Sequence, residues 1–416
     1  MPQAIEERSR VLRDPAFLRL WTANGFRDAA AQVAGFSLSV TAVLVLHAQP
    51  FQMSLVFVCS RLGYLLIGLP AGVWVDRLPK KRVLVGADIA YAVAFGSIPV
   101  AFALGVLTIW QLVLVALALS VAGVFFDVAH TSILPEILPK RAISDANARL
   151  QTTDNTIQAI SPGIAGVVTQ AVAAPLLYTF AALGHLCSAL IVNRIPTTAH
   201  PATERDFRRE IGDGLRFLFG HPLLRLLLSQ AALINLGAGI FLSVLPVFLL
   251  HDLALPSWLF GLLSSVGAVA GVAASLVCPP LRRRFGEIRM TLLFSALTPF
   301  AVVAAPLAGT FPAVAVPLVA AAQVLVVFVV IGRSVAAAGL RARVTPREFM
   351  GRVSAANSVV MQGATPLGGL VGGLVADTWS IPTALWLGVV ASLVSLVLIV
   401  ISPWRSRRSL PPEWEV

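Results

Sequence analysis

The sequence predicts an all-α membrane protein with twelve transmembrane helices in two pseudo-symmetric six-helix bundles. Apolar runs of about 20 residues, the length that crosses ~30 Å of hydrocarbon at 1.5 Å per residue, recur from Phe17 almost to the C-terminus. Every second connector between them is basic, and the alternate connectors carry no Lys or Arg, which is the positive-inside pattern. One long polar segment, residues 196–222, divides the runs six and six. With 57% hydrophobic and 12% charged residues among 416, and a mean hydropathy of +0.85, there is too little polar surface for a water-soluble domain. The strict alternation of polarity that marks barrel strands is absent.

Taken in order, residues 1–16 are polar and mixed in charge, without the basic-then-apolar layout of a cleavable leader, and read as a cytoplasmic segment. Spans start near Phe17, Phe51, Val83, Trp110, Ser144 and Pro175, which makes residues 17–195 the N-terminal bundle. Residues 196–222 contain TERDFRREIGDGLRFLF, where Phe207, Ile211, Leu215 and Phe219 recur at helical spacing, and read as a cytoplasmic linker with an amphipathic surface helix. Six more spans start near Leu223, Ser257, Arg289, Phe311, Gly351 and Ile381. They form a C-terminal bundle over 223–402, followed by a cytoplasmic tail at 403–416. The basic connectors at 76–82, 139–141, 194–225, 282–289 and 341–352 place both termini inside.

A shift of 204 residues pairs His47 with His251, Gly63 with Gly267, Gln158 with Gln362, and Ser161-Pro162 with Thr365-Pro366. It predicts two homologous bundles rocking about a midplane site. The net charge of +11 is accounted for by the basic loops, so no nucleic-acid partner is implied. Cys59, Cys187 and Cys278 lie far apart in apolar runs and predict neither a disulfide framework nor a metal site. No cofactor is expected.

GVWVDRLPKKR, residues 72–82, closes the second span and leads into the third. Its plan is a glycine, three residues, an acid, a base, two residues and a basic cluster, carried by Gly72, Asp76, Arg77, Lys80, Lys81 and Arg82. This loop resembles the signature loop of the major facilitator superfamily, with Pro79 in place of the usual Gly. Residues 125–166, FFDVAHTSILPEILPKRAISDANARLQTTDNTIQAISPGIAG, and 210–228, EIGDGLRFLFGHPLLRLLL, are similar to its bacterial drug-efflux branch, which includes macrolide and siderophore exporters. The resemblance implies a gating role for Gly72, Asp76, Arg77 and Lys81. On physical grounds alone, a carboxylate at Asp76 against a helix N-terminus near Gly351 would gain ~0.3–2 kcal/mol and hold the cytoplasmic side shut. SPGIAG in the fifth span resembles a degenerate antiporter-branch motif. Its Pro162 and Gly166 are candidate helix-packing residues that permit a close, bent approach.

Few ionisable groups fall inside spans: Arg27 and Asp28 in the first, Arg61 in the second, Asp127 and His130 in the fourth, Asp154 in the fifth, His185 in the sixth and Arg333 in the tenth. Each costs at least ~2.5–3.5 kcal/mol at a lipid-facing central position, so each is expected to face protein or a wet cavity. Asp28, about 10–14 Å in from the cytoplasmic side, is the leading proton site. Arg61 lies about 21 Å above the inner end of its span, and that depth disfavours a direct bridge to Asp28. Arg27 is turned ~100° from Asp28 and is expected to snorkel or to pair with Asp127 or Asp154. Asp127, near the inner end of its span and within reach of the bases at 77–82, is assigned to the gate. Asp28, Arg61, Asp154, Asn235 and Gln362 are assigned to a proton-coupling and substrate cavity, and His130 and His185 to ordinary polar contacts.

The function expected is proton-coupled export of amphipathic small molecules by alternating access, carried out by a monomer in a bacterial cytoplasmic membrane. Its partners are then the small-molecule substrate, protons and the lipid bilayer. No G-x-x-x-x-G-K-[ST] phosphate loop appears, which disfavours an ATP-driven pump. A membrane-embedded enzyme would need His, Asp or Glu convergent at one interface, and the acids here are dispersed, so no enzymatic activity is expected. A siderophore exporter and a substrate importer on the same fold stay open as alternatives.

Overall fold

A computed structural model describes residues 14–196, 207–346 and 349–402; the side chains at 69, 72, 73, 76, 140, 207–211, 213 and 214 lie outside the description. Among the described residues there are thirteen α-helices and no strand. They are α1 (Pro15–Val40), α2 (Pro50–Asp76), α3 (Lys80–Ala103), α4 (Ile109–Ile137), α5 (Ile143–Val168), α6 (Leu177–Val192), α7 (Phe207–Gly220), α8 (Pro222–Val247), α9 (Ser257–Phe285), α10 (Glu287–Thr310), α11 (Ala315–Val344), α12 (Met350–Thr378) and α13 (Ile381–Val400). Every expected span start falls within a few residues of one of these helices, and α7 is the linker helix.

Local chemistry sets several of the ends. Asp14 caps α1 by accepting from the amides of Ala16 (2.8 Å) and Phe17 (3.2 Å), with Pro15 just inside the helix, where its missing N–H costs nothing. Ser380 caps α13 in the same way. Eleven of the helices are long and apolar enough to cross a membrane. Besides the linker, the exception is α5: its 26 residues suffice in length, but Asp145, Arg149, Asp154 and several Gln, Asn and Thr lower its hydropathy.

The chain repeats, but not throughout in the register that the identities suggest. The starts of α1 and α8 (Pro15, Pro222), of α2 and α9 (Pro50, Ser257) and of α3 and α10 (Lys80, Glu287) differ by 207 residues, and only the pair α6 and α13 (Leu177, Ile381) differs by 204. Both α1 and α8 run on into a five-residue π turn, Thr41–Val45 and Phe248–Asp252. Each turn is followed two residues later by a left-handed residue, His47 (φ 49°) and Ala254 (φ 47°). His47 therefore corresponds to Ala254, whereas His251 sits inside a π turn. The His match and the Gly63–Gly267 match are coincidences in a Gly- and Ala-rich chain.

Two compact units are present: Met1–His47, Cys59–Arg205 and Pro256–Ser265 form the first, and Ala48–Val58, Asp206–Leu255 and Val266–Val416 the second. In the first unit α6 lies against α1 and α3, α3 against α4, and α1 against α5. Its main apolar core joins Phe17, Leu20, Leu84, Phe126, Ile133 and Ile195. In the second unit α8 packs along α12 and α13, and α10 along α11. Leu215 and Leu218 seat α7 on a cluster with Leu224, Ile288 and Leu340, while Phe219 stays half exposed.

The α8–α12 crossing depends on glycine. A Cβ at Gly368 would overlap the Leu236 carbonyl, and one at Gly239 would overlap that of Thr365. Both opposing atoms are backbone and cannot rotate away. Gly368→Val is expected to cost about 1–3 kcal/mol or more through overpacking, read as a lower Tm and loss of monodisperse protein in detergent.

Candidate functional site

The site is built on α1, whose faces separate its two charges. Trp21 and Asp28, seven residues apart, lie within ~20° of one another on a helix, and Arg27 lies ~100° away. The Trp21 indole donates to Thr153 Oγ1 at 2.8 Å, so the Trp21–Asp28 face is the one turned to α5. Arg27 enters the packing of α3, α4 and α6 instead.

Asp88 of α3 is the centre of that packing. It is fully buried and accepts from His185 Nδ1 at 2.9 Å and from Ser188 Oγ at 2.6 Å, both on α6. Arg27 Nε stands 3.5 Å from its Oδ1. The Arg27 guanidinium also lies over the Phe126 ring, 3.3 Å from the centroid, with Tyr91 at 5.3 Å; each desolvated cation–π contact of this kind is worth ~2 kcal/mol. Tyr91 stacks on His185 at 4.6 Å. One turn before Arg27, Asn24 donates to His130 Nε2 at 2.7 Å and ties α1 to α4, and His130 stacks on Phe126. The cluster neutralises a buried base and locks α1, α3, α4 and α6 together through polar groups that would be costly if unpaired.

These contacts correct two expectations. Arg27 pairs with Asp88, not with Asp127 or Asp154, because its face of α1 meets α3 and α6. The partner of Asp127 is the Tyr64 hydroxyl from α2, not a base of the 77–82 loop. Two of those bases are occupied at helix ends: Lys80 Nζ donates to the Val75 carbonyl at 2.8 Å, and Lys81 Nζ to the Ile195 carbonyl at 3.1 Å, where a cation meets the negative end of a helix dipole. Arg77 is exposed. The side chains of Gly72 and Asp76 lie outside the described residues.

The remaining candidates separate by location. Asp154 on α5 is half-buried and accepts from Gln151 Nε2 at 3.2 Å. Asp28 is also half-buried, yet makes no hydrogen bond or ion pair among the described residues. The charges that act on it are those of Arg27, Asp154, Asp127 and Asp88. Arg61 is exposed on α2.

In the second unit, Asn235 on α8 donates to the Ala231 carbonyl at 2.8 Å and accepts from Thr365 Oγ1 at 3.3 Å, while Gln362 on α12 is exposed. Pro162 and Gly166 lie on the face of α5 that packs against the first turns of α9, which belong to the first unit. A Cβ at Gly166 would stand 3.1 Å from the Ser257 carbonyl oxygen. Gly163 N donates to Ser265 Oγ at 2.9 Å, and the Thr169 and Ser257 hydroxyls bond at 2.8 Å. Among the described residues, no cluster of three His, Cys, Asp or Glu could hold a metal ion.

Sequence reasoning misses Asp88, Ser188, Tyr64 and Tyr91. The third helix begins at Lys80, so Asp88 lies eight residues, ~12 Å, inside it. A lone acid within the apolar run LVGADIAYA was the available signal.

The family described as transmembrane secretion effectors matches residues 10–411. Macrolide efflux protein A of Streptococcus pyogenes is 22% identical over 333 residues, 78% of this chain and 80% of its own. The multidrug efflux pump Tap of Mycolicibacterium fortuitum is 29% identical over 216 residues, 48% of this chain and 52% of its own. Among solved structures, an inward-facing bacterial homologue of the iron transporter ferroportin shares the fold, with a TM-score of 0.75 and 18% identity, over 95% of this chain and 100% of that one. These relatives and neighbours are transporters, not enzymes. The chain belongs to the transmembrane secretion effector family of the major facilitator superfamily and is a multi-pass membrane transporter with small-molecule cargo.

Proposed function

We propose that the protein is a proton-coupled exporter of amphipathic small molecules that works by alternating access, with Asp28 as the group that carries the proton. The observation that supports this reading best is the difference between Asp28 and the other intramembrane acids. Asp88 is held by Arg27, His185 and Ser188, Asp127 by Tyr64, and Asp154 by Gln151. A structural partner accounts for each of those three. Among the described residues Asp28 has none, and an ionisable residue kept inside a span without a structural partner is functional by default.

In this reading α5 is the twelfth span, since its Thr153 and Asp154 are satisfied by protein groups, which offsets its polarity. Residues 17–195 and 223–402 are the two six-helix bundles of a monomer in the bacterial cytoplasmic membrane, with both termini inside, as the basic loops favour. Asp154, Arg61, Asn235 and Gln362 complete the cavity. Gly72, Asp76, Arg77, Lys81 and Asp127 form the gate, and Pro162 and Gly166 the packing of α5 that moves with it. The names of the macrolide and multidrug efflux relatives support amphipathic drugs or secondary metabolites as cargo.

The test is retention of a panel of macrolides and lipophilic dyes in an efflux-deficient bacterial host. Expression is expected to lower retention of at least one compound several-fold, and a protonophore to restore it. Unchanged retention across the panel would defeat the exporter reading, and protonophore-insensitive efflux the proton coupling.

A further inference from the structure

We propose that a cavity inside the first unit binds a neutral, flat aromatic molecule of about two fused rings that carries one hydrogen-bond acceptor. The cavity has a volume of about 210 Å³ and lies among α1 to α4 and the first turn of α6. An engineered apolar cavity of about 150 Å³ takes up benzene, so the volume here matches a fused bicyclic such as quinoline.

The cavity adjoins the Arg27–Asp88–His185 cluster. On α1, Ala31, Ala34 and Leu38 line it, four, seven and eleven residues beyond Arg27, and therefore share the Arg27 face of that helix. Tyr91, which stacks on His185 at 4.6 Å, is common to the cluster and the cavity. Phe95 meets Tyr91 edge-on at 5.8 Å and the Tyr178 ring at 5.6 Å, so three rings form one continuous wall. Aromatic pairs of this kind attract beyond the area they bury, which favours a ring over an alkyl chain as the occupant.

The polar groups at the cavity set the ligand's one polar requirement. Ser120 is satisfied by protein: its hydroxyl donates to the Leu117 carbonyl and accepts from the Gly63 amide. Tyr178 is 1% exposed, and its hydroxyl makes no hydrogen bond among the described residues. A buried donor without a partner is costly, and an acceptor on the ligand would supply the partner. A lipid acyl chain would fill the same volume but leave the hydroxyl unpaired. Gly35 also lines the cavity, and a Cβ there would meet no neighbouring atom within 4 Å, so the space beside α1 can be filled without displacing a neighbour.

The experiment measures binding of tritiated quinoline to the purified full-length protein in detergent, with unlabelled naphthalene and dodecane as competitors. Quinoline and naphthalene share one shape and differ by the ring nitrogen that accepts. Quinoline is expected to bind saturably, one molecule per chain, and naphthalene to displace it at about fivefold higher concentration, the factor given by one hydrogen bond. Tyr178→Phe is expected to abolish that preference by weakening quinoline about fivefold while naphthalene binds as before, with Tm no lower than wild type because an unpaired buried hydroxyl is removed. Gly35→Leu, which fills the cavity from α1, is expected to weaken both ligands at least about tenfold. Binding is read without a gradient, so the result is independent of whether Asp28 carries a proton. Quinoline binding that does not saturate, an unchanged preference in Tyr178→Phe, undiminished binding in Gly35→Leu, or displacement by dodecane as effective as by naphthalene would each overturn the proposal.

Discussion

Asp88→Asn is expected to destabilise the protein by about 3–5 kcal/mol, the cost of leaving a buried charge without its partner. The carboxylate is fully buried and is the only group among the described residues that is ion-paired with Arg27. The amide retains the size of the side chain, so the loss is electrostatic rather than a cavity. Arg27→Gln on the same background removes the uncompensated charge, and the double variant is expected to recover a substantial part of the loss, because groups in one network do not add independently. The measurement is Tm and monodispersity of the purified variants. A Tm for Asp88→Asn equal to that of the wild type would show that the Arg27–Asp88–His185 cluster does not hold α1, α3 and α6 together.

Asp28→Asn is expected to behave in the opposite way. Among the described residues no hydrogen bond or ion pair is lost, so stability is expected to stay within about 0.5 kcal/mol of wild type, as for substitutions away from structural features. Transport driven by a proton gradient is expected to fall at least tenfold, while downhill exchange of cargo persists. Two acids on neighbouring helices of one unit thus give two separable phenotypes, a folding defect at Asp88 and a coupling defect at Asp28.

The membrane architecture was largely legible in the sequence because hydrocarbon imposes a length and a polarity that few residues can violate. Helix starts such as Ser257 and Ile381 fall where the apolar runs begin, and caps such as Asp14 and Ser380 are local signals. The separation of Arg27 from Asp28 was also legible, since it follows from helix geometry alone. The partner of Arg27 was not. Choosing among Asp88, Asp127 and Asp154 requires knowing which helices touch α1, and an apolar span is similar on all sides, with little amphipathic pattern to orient it.

The same limit hid the Tyr64–Asp127 bond, which joins two helices 63 positions apart. The repeat register failed in the first three helix pairs for a different reason. Identities in a Gly- and Ala-rich chain arise by composition, whereas the π turns after α1 and α8, which mark the true correspondence, have no residue signature.

The proton-coupling role of Asp28 is tested most directly in inside-out membrane vesicles carrying wild type or Asp28→Asn at equal levels, with a dye that the wild type exports from cells supplied in the external medium. With an imposed gradient, acid inside, wild-type vesicles are expected to accumulate the dye and to release it when the gradient is collapsed. Asp28→Asn vesicles are expected to equilibrate the dye without accumulating it. Equal gradient-driven accumulation by the two proteins would contradict the assignment of the proton to Asp28.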